Sequence, residues 1–215
     1  MMSRLSALIK KDFILLKRNI YTGVALSVFT PILMGFGLVS LNLGVSTTIT
    51  AYLSGVIYTT FILYFYIALE EAKYSKATIL LNSIFTKKEI VNARYLFFLL
   101  TIMVSTLIFI PLALLLNSWF SGFSLYTLIV SISLALVITS IFIPFTYRWN
   151  IDVTKYVISI FLLILSFAGV NMSQPIINII NSSNQPQLSI FILFVISVFG
   201  LIVSKTISIK FFQPT

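Results

Sequence analysis

The chain has 215 residues, 59% of them hydrophobic and only 9% charged, with a formal net charge of +9 and a mean hydropathy of +1.09. A soluble domain of this length has nowhere to bury that much apolar surface, so the composition points to an integral membrane protein. Cysteine and histidine are both missing, which excludes thiol catalysis, disulfide frameworks and nearly all zinc, haem and iron–sulfur ligation, and no metal site is expected.

Residues 1–19, within the stretch SRLSALIKKDFILLKRNI that runs from Ser3 to Ile20, read as an amphipathic helix lying in the membrane interface. At about 100° per residue, Leu5, Leu8, Ile9, Phe13, Leu15, Leu16 and Ile20 share one arc. Arg4, Lys10, Lys11, Lys17 and Arg18 share the opposite arc, where a basic face meets anionic lipid headgroups. Asp12 breaks the pattern, since it projects from the middle of the apolar arc. Two readings stand for it: a partly hydrated carboxylate near the interface, or an ion pair with a basic residue at the end of a neighbouring span, such as Arg94.

The apolar run from Ile20 to Leu43 is too long for a signal-peptide core and ends in no Ala-x-Ala-like cleavage site, so it is read as a retained first span. Further spans are expected at Thr50–Leu69, Arg94–Leu116, Leu125–Phe145, Tyr156–Val170 and Leu188–Lys205. Their lengths suit a hydrocarbon core of roughly 30 Å, and their continuous, non-alternating character indicates helices rather than a barrel. The fold expected is therefore all-α: a polytopic bundle of six transmembrane helices over residues 20–215, preceded by the interfacial helix.

The charges fall into four segments: the N-terminus, the stretch from Glu70 to Arg94, a loop with Arg148, Asp152 and Lys155, and the end with Lys205 and Lys210. The connections Asn42–Ile49, Asn117–Ser124 and Asn171–Gln187 carry none. Six spans put all four charged segments on one side, and their Lys/Arg excess marks that side as cytoplasmic, with both termini inside. The net +9 is thus a topology signal and not a sign of nucleic-acid binding.

None of the six spans has an ionisable residue near its middle, which argues against a proton- or sodium-coupled transporter with a carboxylate relay. No glycine is followed by lysine, so no phosphate-cradling P-loop exists, and uphill transport would need energy from a partner. A membrane hydrolase fits poorly. Glu70–Glu71 is where a CAAX-type protease motif would begin, but Ser75 stands in place of its arginine and histidine is missing. Span hydroxyls such as Thr59, Thr60, Ser105, Thr106, Ser131, Ser133, Thr139, Ser140, Ser159 and Ser166 suit helix–helix contacts and backbone back-bonding. Pro31, Pro111 and Pro144 are expected to kink their helices. Tyr58, Phe61 and Phe65, with Ser159 and Ser166, form a candidate path for an amphipathic or lipid-like substrate, whereas Tyr64 and Tyr66 suit an interfacial aromatic belt as well as such a path.

The stretch from Glu70 to Leu96 splits into two helical pieces. Glu70, Lys73 and Lys76 form a charged face at a spacing of three, and ATILLNSIF, which includes Leu80, is an apolar patch bracketed by charge. Thr86-Lys87-Lys88-Glu89 then has the form of a capping box that starts the third span.

These segments resemble a known family. Small ABC-2-type permeases begin with a basic interfacial helix much like LIKKDFILLKRN, and carry between spans two and three a segment of the form Ser-Leu-Pro-Val-Ser-Arg-Lys-Glu-Ile-Val. This chain reads NSIFTKKEIVNARYLF, so that Thr86, Lys87, Lys88, Glu89, Ile90, Val91 and Tyr95 match in kind, while Ile84 replaces the usual proline. Tyr147 to Val157 resembles the basic loop before the family's fifth span. The resemblance implies a permease subunit that pairs with a second permease chain, as a homo- or heterodimer, and is driven by a separate cytoplasmic ATPase carrying the ATP and magnesium. It implies no cofactor and no catalytic residue on this chain. It makes residues 70–94 the coupling segment, with Lys73, Lys76, Leu80, Thr86, Lys87, Lys88 and Glu89 facing the ATPase, and residues 171–187 an extracellular hairpin. The chain also looks like exporters of amphipathic peptides, of the phenol-soluble modulin and bacteriocin kind, in a bacterial plasma membrane; lipid or drug efflux remain the other cargo readings. The alternative class is a non-transporting membrane anchor or sensor that recruits a cytoplasmic partner.

Overall fold

The computed structural model describes residues 2–17, 19–40, 47–73, 84–116, 120, 123–148, 153, 156, 160 and 186–212. Six helices form among them: α1 (Met2–Leu16), α2 (Ile20–Ser40), α3 (Thr47–Lys73), α4 (Lys87–Leu115), α5 (Leu125–Arg148) and α6 (Pro186–Phe211). No strand occurs among the described residues. Helices are what these apolar runs must form in a bilayer, because only intra-segment hydrogen bonds satisfy the backbone there. The five helices from α2 to α6 are long and apolar enough to cross a membrane. The chain is therefore a polytopic all-α membrane protein.

Several helices outrun the spans expected from hydropathy. α3 continues past Leu69 to Lys73, α4 begins at Lys87 instead of Arg94, and α6 continues past Lys205 to Phe211. Hydropathy marks the hydrocarbon-matched part of a helix, while the helix itself runs on into the polar zone until a cap or a connection ends it. Pro31, Pro111 and Pro144 each lie inside one unbroken helix.

The spans alternate in direction from α2 to α5. α5 and α6, however, run parallel: Gln187 at the start of α6 donates to the Tyr126 hydroxyl at 3.2 Å, and at the other end Tyr147 meets Phe212 with ring centroids 5.6 Å apart. α5 therefore ends at Arg148 and α6 begins at Pro186 at opposite ends of the bundle. The fifth predicted span, Tyr156–Val170, falls in that interval and lies outside the described residues apart from Tyr156 and Ile160, as do Ser159, Ser166 and nearly all of the predicted 171–187 hairpin.

α3 sits centrally and meets α2, α4, α5 and α1, while α5 packs most extensively on α6. Small residues allow the closest approach, as expected where lipid tails compete with helix contacts on equal apolar terms. A Cβ added at Gly55 on α3 would stand 2.5 Å from the Pro31 ring on α2, and one at Gly23 would stand 2.8 Å from Leu63. The core is aromatic: Tyr52 meets Phe109 edge-on at 5.2 Å, and Phe61 meets Phe142 at 5.0 Å.

The span hydroxyls divide as the sequence suggests. Thr60, Ser131, Ser133 and Thr139 donate back to carbonyls four residues earlier. Others join helices: Ser27 on α2 lies 3.1 Å from Thr59 on α3 and 3.3 Å from Ser105 on α4, and Tyr52 on α3 lies 2.6 Å from Thr106 on α4. The Tyr95 hydroxyl on α4 meets both Ser204 and Ser208 on α6.

Candidate functional site at the charged end

The ends of α3, α5 and α6 and the starts of α2 and α4 converge at one pole of the bundle, with α1 laid across it. α3 ends and α4 begins here, so this pole holds both described ends of the segment singled out by the sequence.

α1 docks by a ridge at a spacing of four. Leu8, Asp12 and Leu16 are all buried, and the apolar side chains between them behave differently: Phe13 and Ile14 stay exposed. Leu16 enters a cluster with Leu63 and Ile67 of α3 and Phe97 of α4, and Phe13 touches the Phe97 ring edge-on at 6.2 Å. α1 thus turns apolar side chains both toward the bundle and outward.

Asp12, flanked by the two leucines, does not stay hydrated at the interface. Its carboxylate lies 3.2 Å from an Arg94 guanidinium nitrogen. The other Arg94 terminal nitrogen donates to Glu71, at the end of α3. Lys11 closes the circuit, donating to the second Glu71 oxygen and lying 3.2 Å from Asp12. Lys11, Asp12, Arg94 and Glu71 therefore form a ring of alternating charge drawn from three helices, with zero net charge. The Arg94 guanidinium also lies over the Tyr64 ring at 5.7 Å, and Tyr64 stacks on Phe98 at 5.2 Å. Burying ions is costly unless every charge is paired; the ring gives each charge two partners of opposite sign, while Asp12 Oδ1 and Arg94 Nη1 make their ion contacts at 3.2 Å without a hydrogen bond.

Three placements differ from the sequence reading. Lys11 does not join the headgroup-facing basic arc, because its flexible four-carbon stem reaches the carboxylates of the ring. Glu71, grouped with the general charge of its segment, is a structural anion. Tyr64 is buried beneath Arg94 instead of standing in an interfacial belt. One signal marked the last two: Tyr64, Ile67 and Glu71 repeat at helical spacing on the buried face of α3, which separates Glu71 from its neighbour Glu70.

The start of α4 is built as the local sequence requires. Thr86 has an extended backbone and its hydroxyl accepts from the Glu89 amide at 3.3 Å, while the Glu89 carboxylate accepts from the Thr86 amide at 2.8 Å. The capping box is complete. Lys87 and Lys88 are exposed beside it, and the Lys87 ammonium lies 3.5 Å from the Phe212 carbonyl. Nearby, Arg148 lies over the Phe211 ring at 5.1 Å, tying the ends of α5 and α6 together.

Of the other residues singled out by the sequence, Arg4, Lys10 and Lys17 are exposed on α1 and its end, whereas Arg18, Lys76 and Leu80 and the side chain of Lys73 lie outside the described residues. Phe61 is packed between Phe98 and Phe142 in the core, with Tyr58 and Phe65 partly buried on the same helix. Among the described residues no group of acidic side chains is disposed to hold a metal ion.

A comparison with curated proteins returns no significant match, and neither does one with solved structures. The ABC-2 family transporter protein family matches residues 7–213, from the docking ridge of α1 to the end of α6. Nearly the whole chain is covered, and with its bundle of apolar helices the protein belongs to the ABC-2 transporter family, as the multi-pass permease subunit of an ABC transporter that works with an ATPase subunit.

Proposed function

We propose that this permease exports an amphipathic, peptide- or lipid-like cargo across a bacterial plasma membrane, with its charged pole in the cytoplasm. The Lys/Arg excess of that pole supports the orientation, and the sequence resemblance to peptide exporters supports the direction and the cargo class. Spans whose middles carry no charged residue suit a cargo with long apolar faces.

The observation that carries the reading is the construction of the charged pole. The stretch between Lys73 and Lys87 joins two helices whose ends are tied to each other through Glu71 and Arg94. A push delivered there tilts α3 and α4 together. Residues 70–94 then act as the coupling segment, with Lys73, Lys76, Leu80, Thr86, Lys87, Lys88 and Glu89 meeting the ATPase, and the exposed Arg4, Lys10 and Lys17 meeting anionic lipid. A second permease chain completes the translocation path, since the exposed apolar faces of α2 and α6 leave room for a neighbour. ATP and magnesium reside on the ATPase.

The test is reconstitution of the permease with its ATPase subunit in inside-out vesicles. ATP-dependent uptake of a fluorescent amphipathic helical peptide supports the reading. Failure of any ATPase subunit to associate, or uptake of the peptide without ATP, overturns it.

A further inference from the structure

α5 continues through Pro144, but its ladder of backbone hydrogen bonds has a gap there. Proline has no N–H, so the carbonyl of Ser140, four residues earlier, lacks the donor that a regular helix would give it. A carbonyl left without a partner is costly inside a membrane. α6 supplies the missing proton, because the Ser204 hydroxyl donates to the Ser140 carbonyl. The helices come close enough for this where α6 carries Gly200, one turn before Ser204. A Cβ added at Gly200 would stand 3.4 Å from Ser140 Oγ.

The single proton of Ser204 is thereby used, and the rest of the pattern follows from one proton per hydroxyl. At the 2.6 Å contact between Tyr95 and Ser204 the phenol must donate, and at the 2.9 Å contact between Tyr95 and Ser208 the serine must donate. Ser208, Tyr95, Ser204 and the Ser140 carbonyl therefore form one directional chain across α6, α4 and α5, in which each bond strengthens the next. All three side chains in it are buried. Ser204 also has an alternative, since helical serines bond readily to the preceding turn of their own helix, as Ser197 of α6 does to the Phe194 carbonyl. The bond from Tyr95 pins the Ser204 oxygen in the place from which it reaches α5. Beyond the proline, α6 takes hold of α5 a second time: Arg148 lies over the Phe211 ring at 5.1 Å, and Tyr147 meets Phe212 at 5.6 Å. α6 thus grips α5 on both sides of the gap.

We propose that α6 is a splint across a proline break in α5, and that Tyr95 of α4 is the positioning residue that keeps the splint set. When α4 shifts against α6 during the ATP-driven cycle, Tyr95 leaves Ser204 and the serine turns back to its own helix. The last turn of α5, residues 145–148, is then free to bend. The device requires no particular cargo and no particular direction of transport.

In detergent, Ser204→Ala should lower the melting temperature of the native chain clearly more than that of the Pro144→Ala chain, where residue 144 regains an N–H for the Ser140 carbonyl. Hydrogen–deuterium exchange over residues 141–148 should speed up several-fold in Tyr95→Phe while the middle of α5 keeps its rate, and Pro144→Ala should suppress that acceleration. In the reconstituted complex with the ATPase subunit, the same residues should exchange faster in the ATP-trapped state than in the nucleotide-free state. Equal costs of Ser204→Ala in the two backgrounds overturn the proposal. So does exchange over residues 141–148 that ignores Tyr95→Phe, that accelerates uniformly along α5, or that is the same in both nucleotide states.

Discussion

Asp12 on α1 and Arg94 on α4 stand 3.2 Å apart, although more than eighty residues of chain and two spans separate them. Both are buried, and each has a second partner of opposite sign, so neither charge is left alone. Breaking such a pair on one side strands the other charge, which costs about 3–5 kcal/mol. Arg94→Met should therefore destabilise strongly. Asp12→Asn combined with Arg94→Gln, which leaves Lys11 facing Glu71, should cost clearly less than the sum of the two single changes. Thermal unfolding in detergent of the two single variants and the double variant gives the coupling directly.

The α2–α3 contact sets a limit on side-chain size. Gly55→Ala drives a Cβ to within 2.5 Å of the Pro31 ring, which cannot swing aside as a flexible side chain would. The expected loss is about 1–3 kcal/mol, typical of overpacking. Gly37→Ala, with nothing within 4 Å of its added Cβ, should be neutral or slightly stabilising. Melting temperatures of the two variants should diverge.

The capping box at the start of α4 is a local device with a local effect. Thr86→Ala removes the hydroxyl that the Glu89 amide donates to, at a cost of about 1 kcal/mol. Amide hydrogen exchange should speed up over Lys87–Val91 and stay unchanged in the middle of α4. Uniform acceleration along the helix would show that the cap holds more than its own turn.

If Lys87, Lys88 and Glu89 meet the ATPase, reversing all three charges together uncouples hydrolysis from transport without unfolding the spans. The expected signature is normal membrane insertion and melting, weakened ATPase association, and lost peptide uptake. Unchanged association and uptake in the Lys87→Glu, Lys88→Glu, Glu89→Lys variant would remove these residues from the interface.

The links between α4 and α6 are hydroxyl contacts of the kind that average well under 1 kcal/mol in membranes. Tyr95→Phe deletes its contacts to Ser204 and Ser208 together, and should lower stability by roughly 1 kcal/mol while leaving ATPase association intact. A melting curve and a pull-down decide it.

Asp12 was conspicuous in the sequence as a carboxylate inside an apolar arc, and the capping box at Thr86 was fully legible. Both signals are local: one needs only the helical angle, the other only a spacing of three residues. The permease resemblance was carried in the same way, by contiguous motifs at the two ends of the charged pole. Phe61, by contrast, has the spacing of a lining residue and the burial of a core residue, and spacing along one helix does not distinguish the two.

The sequence by itself determined that the chain crosses the membrane as helices, roughly where five of the six expected spans lie, and that the charges of the described residues gather at one pole. Those properties follow from hydropathy and charge, which are additive along the chain. Only the tertiary structure decided which charges become partners. Whether Glu70 or Glu71 meets Arg94, and whether Lys11 faces lipid or protein, depends on how α1, α3 and α4 are rotated about their own axes. That rotation is set by packing between helices remote in sequence: the seat of Leu16 against Leu63, Ile67 and Phe97, and the stacking of Tyr64 on Phe98. The same packing turned an isolated Asp12 into one member of a closed ring.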